Sequence, residues 1–117
     1  MNILIKLLIT ALAVFILAYF LPGVTLTGDK FVTAIIVAVI LGVLNLFVKP
    51  ILVIFTLPIT ILTLGLFLLI INALIIMLAS NLIDNFLVSS IWTAILFSIL
   101  LSVLESILHS LLKEDKN

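Results

Sequence analysis

Four long apolar runs, separated and followed by stretches that hold all three prolines and most of the charged residues, set the pattern of this chain. Residues 3–21 are apolar apart from Lys6, Thr10 and Tyr19, and about 20 helical residues rising ~1.5 Å each cross a ~30 Å hydrocarbon core. Pro22-Gly23 ends this first span. The alternation Val24-Thr25-Leu26-Thr27 ahead of Gly28-Asp29-Lys30 predicts a short, extended loop. Residues 31–48 predict span two, closed at Lys49-Pro50 because proline disfavours helix at the residue before it.

The next apolar segment, Ile51 to Leu64, has only 14 residues, short for a spanning helix and typical of re-entrant or interfacial pieces. It contains Pro58, whose missing N–H frees a carbonyl that lipid cannot satisfy. Thr56, Thr60 and Thr63 share one helical face, where hydroxyls reach backbone carbonyls or a neighbouring helix. A short helix dipping into one leaflet, ending near Gly65, fits this pattern. The alternative is one long kinked helix from Ile51 to Ile83, which requires strong tilt. Residues 65–83 predict span three, with Asn72 inside it; residues 84–90 a second short loop; residues 91–112 span four; and residues 113–117 a frayed polar tail.

These elements predict an all-α integral membrane protein of one domain, residues 1–117. Hairpin one covers 3–48, the connecting segment 49–64 and hairpin two 65–112, followed by the tail. An offset of 60 residues lays Thr33-Ala34-Ile35 on Thr93-Ala94-Ile95 and Leu41-Gly42-Val43-Leu44 on Leu101-Ser102-Val103-Leu104, while the first and third spans match only loosely at that offset. The expected architecture is therefore four transmembrane helices in two tandem hairpins related by a pseudo-two-fold axis along the membrane normal. Ala34, Ala38 and Gly42 recur every four residues, as do Ala94, Ser98 and Ser102. Such faces let helix backbones approach in lipid, so spans two and four are expected to cross near the pseudo-axis. That crossing would gather Asn45, Lys49, Glu105 and His109 in one half of the membrane, with Asn72 at similar depth.

Composition narrows the function classes. Hydrophobic residues make up 67% of the chain and charged residues 9%, too little polar surface to coat a water-soluble globule. The bilayer is the first partner this implies. The formal net charge is zero and arginine is absent, which argues against nucleic acid, whose phosphates are neutralised by clustered basic residues. Cysteine is absent too, excluding disulfides and thiolate chemistry. With four spans, Lys6, Lys49, Lys113 and Lys116 share one side against Lys30 on the other, so the positive-inside rule places both termini in the cytoplasm. Lys6 ahead of an apolar run could also open a signal peptide, but the run reaches Leu21 without a convincing small-x-small cleavage site and further spans follow, so a retained first helix fits better.

Glu105 is the most informative polar position, since an ionisable carboxylate within a span is costly and faces protein or a watery cavity. It would serve as a proton or cation site, or as a structural partner of Lys49 or His109; its place near the helix end favours the structural role. His109 with one carboxylate four residues back is an incomplete metal site, and pairing is its simpler use. Lys49 reads as a snorkelling anchor, and Asn45 and Asn72 as interhelical hydrogen-bonding groups. Tyr19 and Trp92 sit near span ends, as interfacial aromatics do. No nucleophile with a base, phosphate loop, cofactor motif or metal motif appears, so neither enzymatic activity nor a cofactor is expected.

The segments Leu41-Gly42-Val43-Leu44-Asn45, Lys49-Pro50-Ile51-Leu52, Thr56-Leu57-Pro58-Ile59-Thr60-Ile61-Leu62-Thr63-Leu64-Gly65 and Asn72-Ala73 resemble a known family over essentially the whole chain. It is the four-transmembrane, mycobacterial-phage-type holin family (holin superfamily IV), which includes YvlD-like bacterial membrane proteins. The resemblance implies a multi-pass protein of the bacterial cytoplasmic membrane that homo-oligomerises and opens lesions releasing a cell-wall hydrolase. The short, charge-balanced tail departs from the basic tail common in holins. A non-lytic envelope scaffold or stress-response protein is the alternative, and a small transporter using Glu105 a third.

Overall fold

Asn2 starts the first helix, its side-chain carbonyl accepting from the Leu4 N–H at 2.9 Å, a cap that satisfies one of the amides a helix start leaves free. A computed structural model describes the backbone of residues 2–115 and side chains through Leu112. The elements are α1 (Ile3–Phe20), β1 (Val24–Leu26), α2 (Lys30–Phe55), α3 (Leu57–Leu62), α4 (Phe67–Leu82), β2 (Phe86–Val88) and α5 (Ile91–Asp115). Among the described residues three helices are long and apolar enough to cross a membrane, α1, α2 and the Ile91–Leu112 part of α5, and α4 is a shorter apolar helix.

Helix neighbours form a ring: α1 packs against α2 and α5, and α4 packs against the same two. The expected crossing of spans two and four is not what the chain does. Helices α2 and α5 lie diagonally across the ring and do not pack along their length. Their small residues serve other neighbours. Ala34, Ala38, Ala94 and Ser98 are buried, whereas Ser102 is exposed, and a Cβ added at Gly42 would meet nothing within 4 Å.

The two loops that join the helix pairs become paired strands. β1 and β2 are antiparallel, with Val24 opposite Val88, Thr25 opposite Leu87 and Leu26 opposite Phe86. Val24, Leu26, Phe86 and Val88 turn inward while Thr25 and Leu87 face out, the period-two alternation of a half-buried ribbon. The Thr27 N–H donates to the Asn85 carbonyl at 2.9 Å and the Ser89 N–H to the Gly23 carbonyl at 2.8 Å, extending the ladder at both ends. Ser80 of α4 ties the ribbon down, donating to the Phe86 carbonyl at 3.1 Å and accepting from the Val88 N–H at 3.2 Å. Gly23 is required where α1 turns into β1: its φ is +94°, and a Cβ there would stand 2.6 Å from the Ser89 hydroxyl oxygen. Because both loops pair, both lie at one end of the bundle, and the start of α1, the α2–α4 connection and the end of α5 lie at the other.

Burial is concentrated at the strand end. The buried positions of α2 fall between Thr33 and Leu44 and those of α4 between Ile71 and Ala79, and in α5 they are Ala94, Phe97, Ser98 and Leu101. Phe86 and Phe97 are fully buried and lie 6.0 Å apart, ring centre to ring centre, in a tilted pair. Beyond Leu44 and Leu101 no side chain of α2 or α5 is fully buried among the described residues, so the bundle loosens toward its other end.

The proline assignments differ from expectation. Helix α2 does not close at Val48 but runs through Pro50 to Phe55. Proline removes one N–H bond, whereas ending the helix in hydrocarbon would strand several carbonyls, so continuing costs less. Pro58 lies in the first turn of α3, where its missing N–H would have had no intrahelical acceptor. It therefore starts a helix rather than orphaning a carbonyl. The single long helix from Ile51 to Ile83 is not formed either, since the chain breaks at Thr56 and again at residues 63–66. Toward the C-terminus α5 continues to Asp115, past the expected end at Leu112; Lys116 and Asn117, the last of the predicted tail, lie outside the described residues.

Two stability outcomes follow from this packing. Phe86→Ala should cost ~3–5 kcal/mol in a denaturant titration of the detergent-solubilised protein, as for other large-to-small changes in a filled core; a loss under ~1 kcal/mol would mean the ribbon is not part of the core. Gly42→Ala should be neutral or gain up to ~1 kcal/mol from helix propensity; a clear loss would show that Gly42 packs closely against something the single chain does not supply.

Candidate functional site

Polar side chains collect on one face of α5, at the loose end of the bundle. Ser102, Glu105, Ser106, His109 and Ser110 line an open groove of about 510 Å³. Their spacing of three and four residues stacks them along a single helix face. Ser98, one turn earlier on the same row, is buried and returns its hydroxyl to the Ile95 carbonyl at 2.8 Å, so the row passes from a satisfied core serine to exposed Ser102, Ser106 and Ser110. Glu105 is half-buried; its carboxylate is within reach of the Thr10 hydroxyl on α1, and Lys6 and His109 are the charged or ionisable groups that act on it.

The five polar positions expected to meet are divided between two helix pairs. Glu105 and His109 belong to the α5 face beside α1, where Thr10 and Lys6 join them. Asn45 and Lys49 lie on α2, beside α4 with its half-buried Asn72. Asn45 is exposed and Lys49 half-buried. Because α2 and α5 are diagonal, Lys49 is not the partner of Glu105; the ring order decides this, and a helix-face pattern carries no information about which face meets which.

Sequence reasoning passed over Thr10, Lys6, Ser106 and Ser110. The signal for the serines was present: Ser98, Ser102, Ser106 and Ser110 recur every four residues. Among the described residues no serine hydroxyl is hydrogen-bonded to His109, and no group of three His, Asp or Glu side chains comes together. The groove offers hydrogen-bond donors and acceptors and one carboxylate–imidazole neighbourhood, on a surface otherwise made of aliphatic side chains.

At the connection between α2 and α4 the threonines are turned onto the backbone. The Thr56 hydroxyl donates to the Leu52 carbonyl at 2.8 Å and lies 3.5 Å from the Thr60 hydroxyl. The Thr63 hydroxyl donates to the Ile59 carbonyl at 3.0 Å and accepts from the Phe67 N–H at 3.1 Å. Pro58 lies within this arrangement and Gly65 follows it, with φ +89°.

The family profile described as "Mycobacterial 4 TMS phage holin, superfamily IV" matches residues 1–107. The chain belongs to this holin family. That match takes in all four apolar helices of the ring and most of the α5 groove. Uncharacterized protein SCO3922 of Streptomyces coelicolor is 41% identical to this family member over 100 residues, covering 79% of this chain and 80% of its own. Uncharacterized membrane protein YvlD of Bacillus subtilis is 36% identical over 90 residues, covering 76% and 74% respectively. No solved structure matches this holin-family protein. It is a membrane protein with several membrane-crossing helices.

If the Thr10 hydroxyl and the Glu105 carboxylate interact, Thr10→Val and Glu105→Gln should be non-additive. A double-mutant cycle on unfolding free energy is expected to give a coupling of ~0.5–1.5 kcal/mol; strict additivity would separate the two side chains.

Proposed function

We propose that this protein is a non-enzymatic, holin-like component of a bacterial cytoplasmic membrane, whose copies assemble through the polar face of α5 and permeabilise the bilayer. The observation that carries this reading is the row Ser102, Glu105, Ser106, His109 and Ser110 on the surface of a membrane-crossing helix. Hydroxyl, carboxylate and imidazole groups facing acyl chains are unfavourable. A second copy or a water-filled lesion would satisfy them. The family's description as a phage holin accords with this reading.

The same reading treats the chain as two tandem hairpins. Its support is the recurrence of buried positions: Ile9, Ala11, Ala13, Val14 and Leu17 of α1 are followed 62 residues later by buried Ile71, Ala73, Ile75, Ile76 and Ala79 of α4. Val24 and Leu26 are likewise followed at that offset by Phe86 and Val88. At an offset of 60, Ala34, Val37, Ala38 and Leu41 correspond to Ala94, Phe97, Ser98 and Leu101. The second half is thus two residues shorter between strand and helix, which is why one offset fits spans two and four but not spans one and three. In this scheme Thr10 corresponds to Asn72 and Glu105 to Asn45, and both termini are cytoplasmic by the lysine distribution.

A second reading, a non-lytic envelope scaffold, is favoured by the relatives: both belong to bacteria, and the name of one says membrane protein and nothing of lysis. Induced expression in a bacterium, with a cytoplasmic cell-wall hydrolase present or absent, separates the two. Holin-like action predicts abrupt depolarisation, lysis only with hydrolase, and a delay or loss of both in a Ser102→Leu, Ser106→Leu double variant that still reaches the membrane. Growth with intact membrane potential at high expression would turn the assignment to the scaffold.

A further inference from the structure

The connection between α2 and α4 reverses the chain without one charged residue: none occurs from Pro50 to Ile83. A reversal in water is ordinarily built from polar residues, glycine and proline. Here the side chains that project are Phe55, Leu62, Leu64 and Leu66, with Leu64 94% and Leu62 83% exposed. Helix α3 buries none of its residues.

Length points the same way. Helix α4 has 16 residues, about 24 Å at ~1.5 Å per residue, so it falls roughly 6 Å short of a ~30 Å hydrocarbon core. By the same rise, Lys30 and Lys49 of α2 lie roughly 28 Å apart, near opposite interfaces. Helix α2 carries the chain on from Lys49 to Phe55, so the residues that follow have to turn back toward the bundle for α4 to start where it does.

The backbone of the turn is equipped for that medium. Every N–H from Thr63 to Leu69 has an acceptor inside the segment: Thr63 to Ile59, Leu64 to Ile61, Gly65 to Thr60, Leu66 to Thr63, Leu68 to Gly65 and Leu69 to Leu66, at 2.9–3.1 Å, with Phe67 on the Thr63 hydroxyl. The Gly65-to-Thr60 and Leu64-to-Ile61 bonds close the end of α3 as a Schellman motif. Its left-handed position is ordinarily glycine, yet Leu64 occupies it with φ +57°. A leucine held in that strained conformation, pointing away from the protein, implies that its side chain is wanted outside.

We propose that residues 51–66 form a hook embedded in the acyl region of one leaflet, with Lys49 at its base reaching the headgroups, and that its partner is lipid rather than water or protein. The hook satisfies its own hydrogen bonds, so only aliphatic and aromatic surface meets the acyl chains.

The chain has no cysteine, so Leu64→Cys and, as a second probe, Leu62→Cys each provide a single labelling site in the full-length protein. Each would carry an environment-sensitive fluorophore in phosphatidylcholine–phosphatidylglycerol vesicles, with Thr25→Cys on the strand ribbon as the control. The expected result is at least about twofold stronger quenching at 64 and 62 by nitroxides on the acyl chain than by nitroxides on the headgroup. Iodide should have little effect there while quenching the control. Iodide quenching equal to the control would overturn the proposal in favour of an aqueous loop. Protection from both lipid and iodide quenchers, with energy transfer between labelled copies, would overturn it in favour of a protein-covered surface.

Discussion

Hydrocarbon offers no partner for a peptide N–H or C=O, and that single constraint organises this protein. It keeps α2 helical through Pro50, because a lost bond at one residue is less costly than a frayed turn in lipid. It makes the threonines near the chain reversal bond to backbone carbonyls instead of to neighbouring helices. It also accounts for the ribbon at the opposite end. Two separate short loops would each leave amide groups free near the membrane surface; paired as β1 and β2, they satisfy each other and join the two helix pairs into one body.

The ribbon in turn sets where the protein is tight. Phe86, Val24, Leu26 and Val88 point down into the same core as Val14, Val37, Ile75 and Phe97. Dense packing and paired strands then coincide at one end, and the other end is left with fewer interhelical contacts. The polar positions lie at this looser end: Glu105 and His109 with Thr10 and Lys6, and Asn45, Lys49 and Asn72 on the opposite helix pair. A carboxylate and imidazole at the tight end would displace apolar packing; at the loose end they lie near each other and near Thr10 and Lys6 without doing so. The holin-like reading and the leaflet-embedded hook both belong to this end.

The outlying backbone values support the same division of labour. Gly23 sits at a positive φ where a side chain would strike Ser89 and Thr93, a packing requirement of the tight end. Leu64 sits at a positive φ with open space around it, which packing does not require. A residue that accepts local strain of order 1 kcal/mol without an internal contact is best understood through its surroundings outside the chain.

Four apolar runs, their approximate ends at Pro22 and Ile83, the all-α membrane class and the family were legible in the sequence, because apolar run length against bilayer thickness is a one-dimensional property. The alternation in residues 24–27 gave extended loops, but not that they would pair across 62 positions, since strand pairing is a long-range choice between loops that each look incomplete alone. Lys49-Pro50 read as a stop because the residue before proline disfavours helix; the solvent reversed that preference. Polar and small residues at helical spacing marked rows on α2 and α5, but not that Gly42, Asn45 and Ser102 on those rows would be exposed. Which face met which was fixed only by the ring order of the helices, and that order followed from the paired loops, a contact that no local pattern specifies.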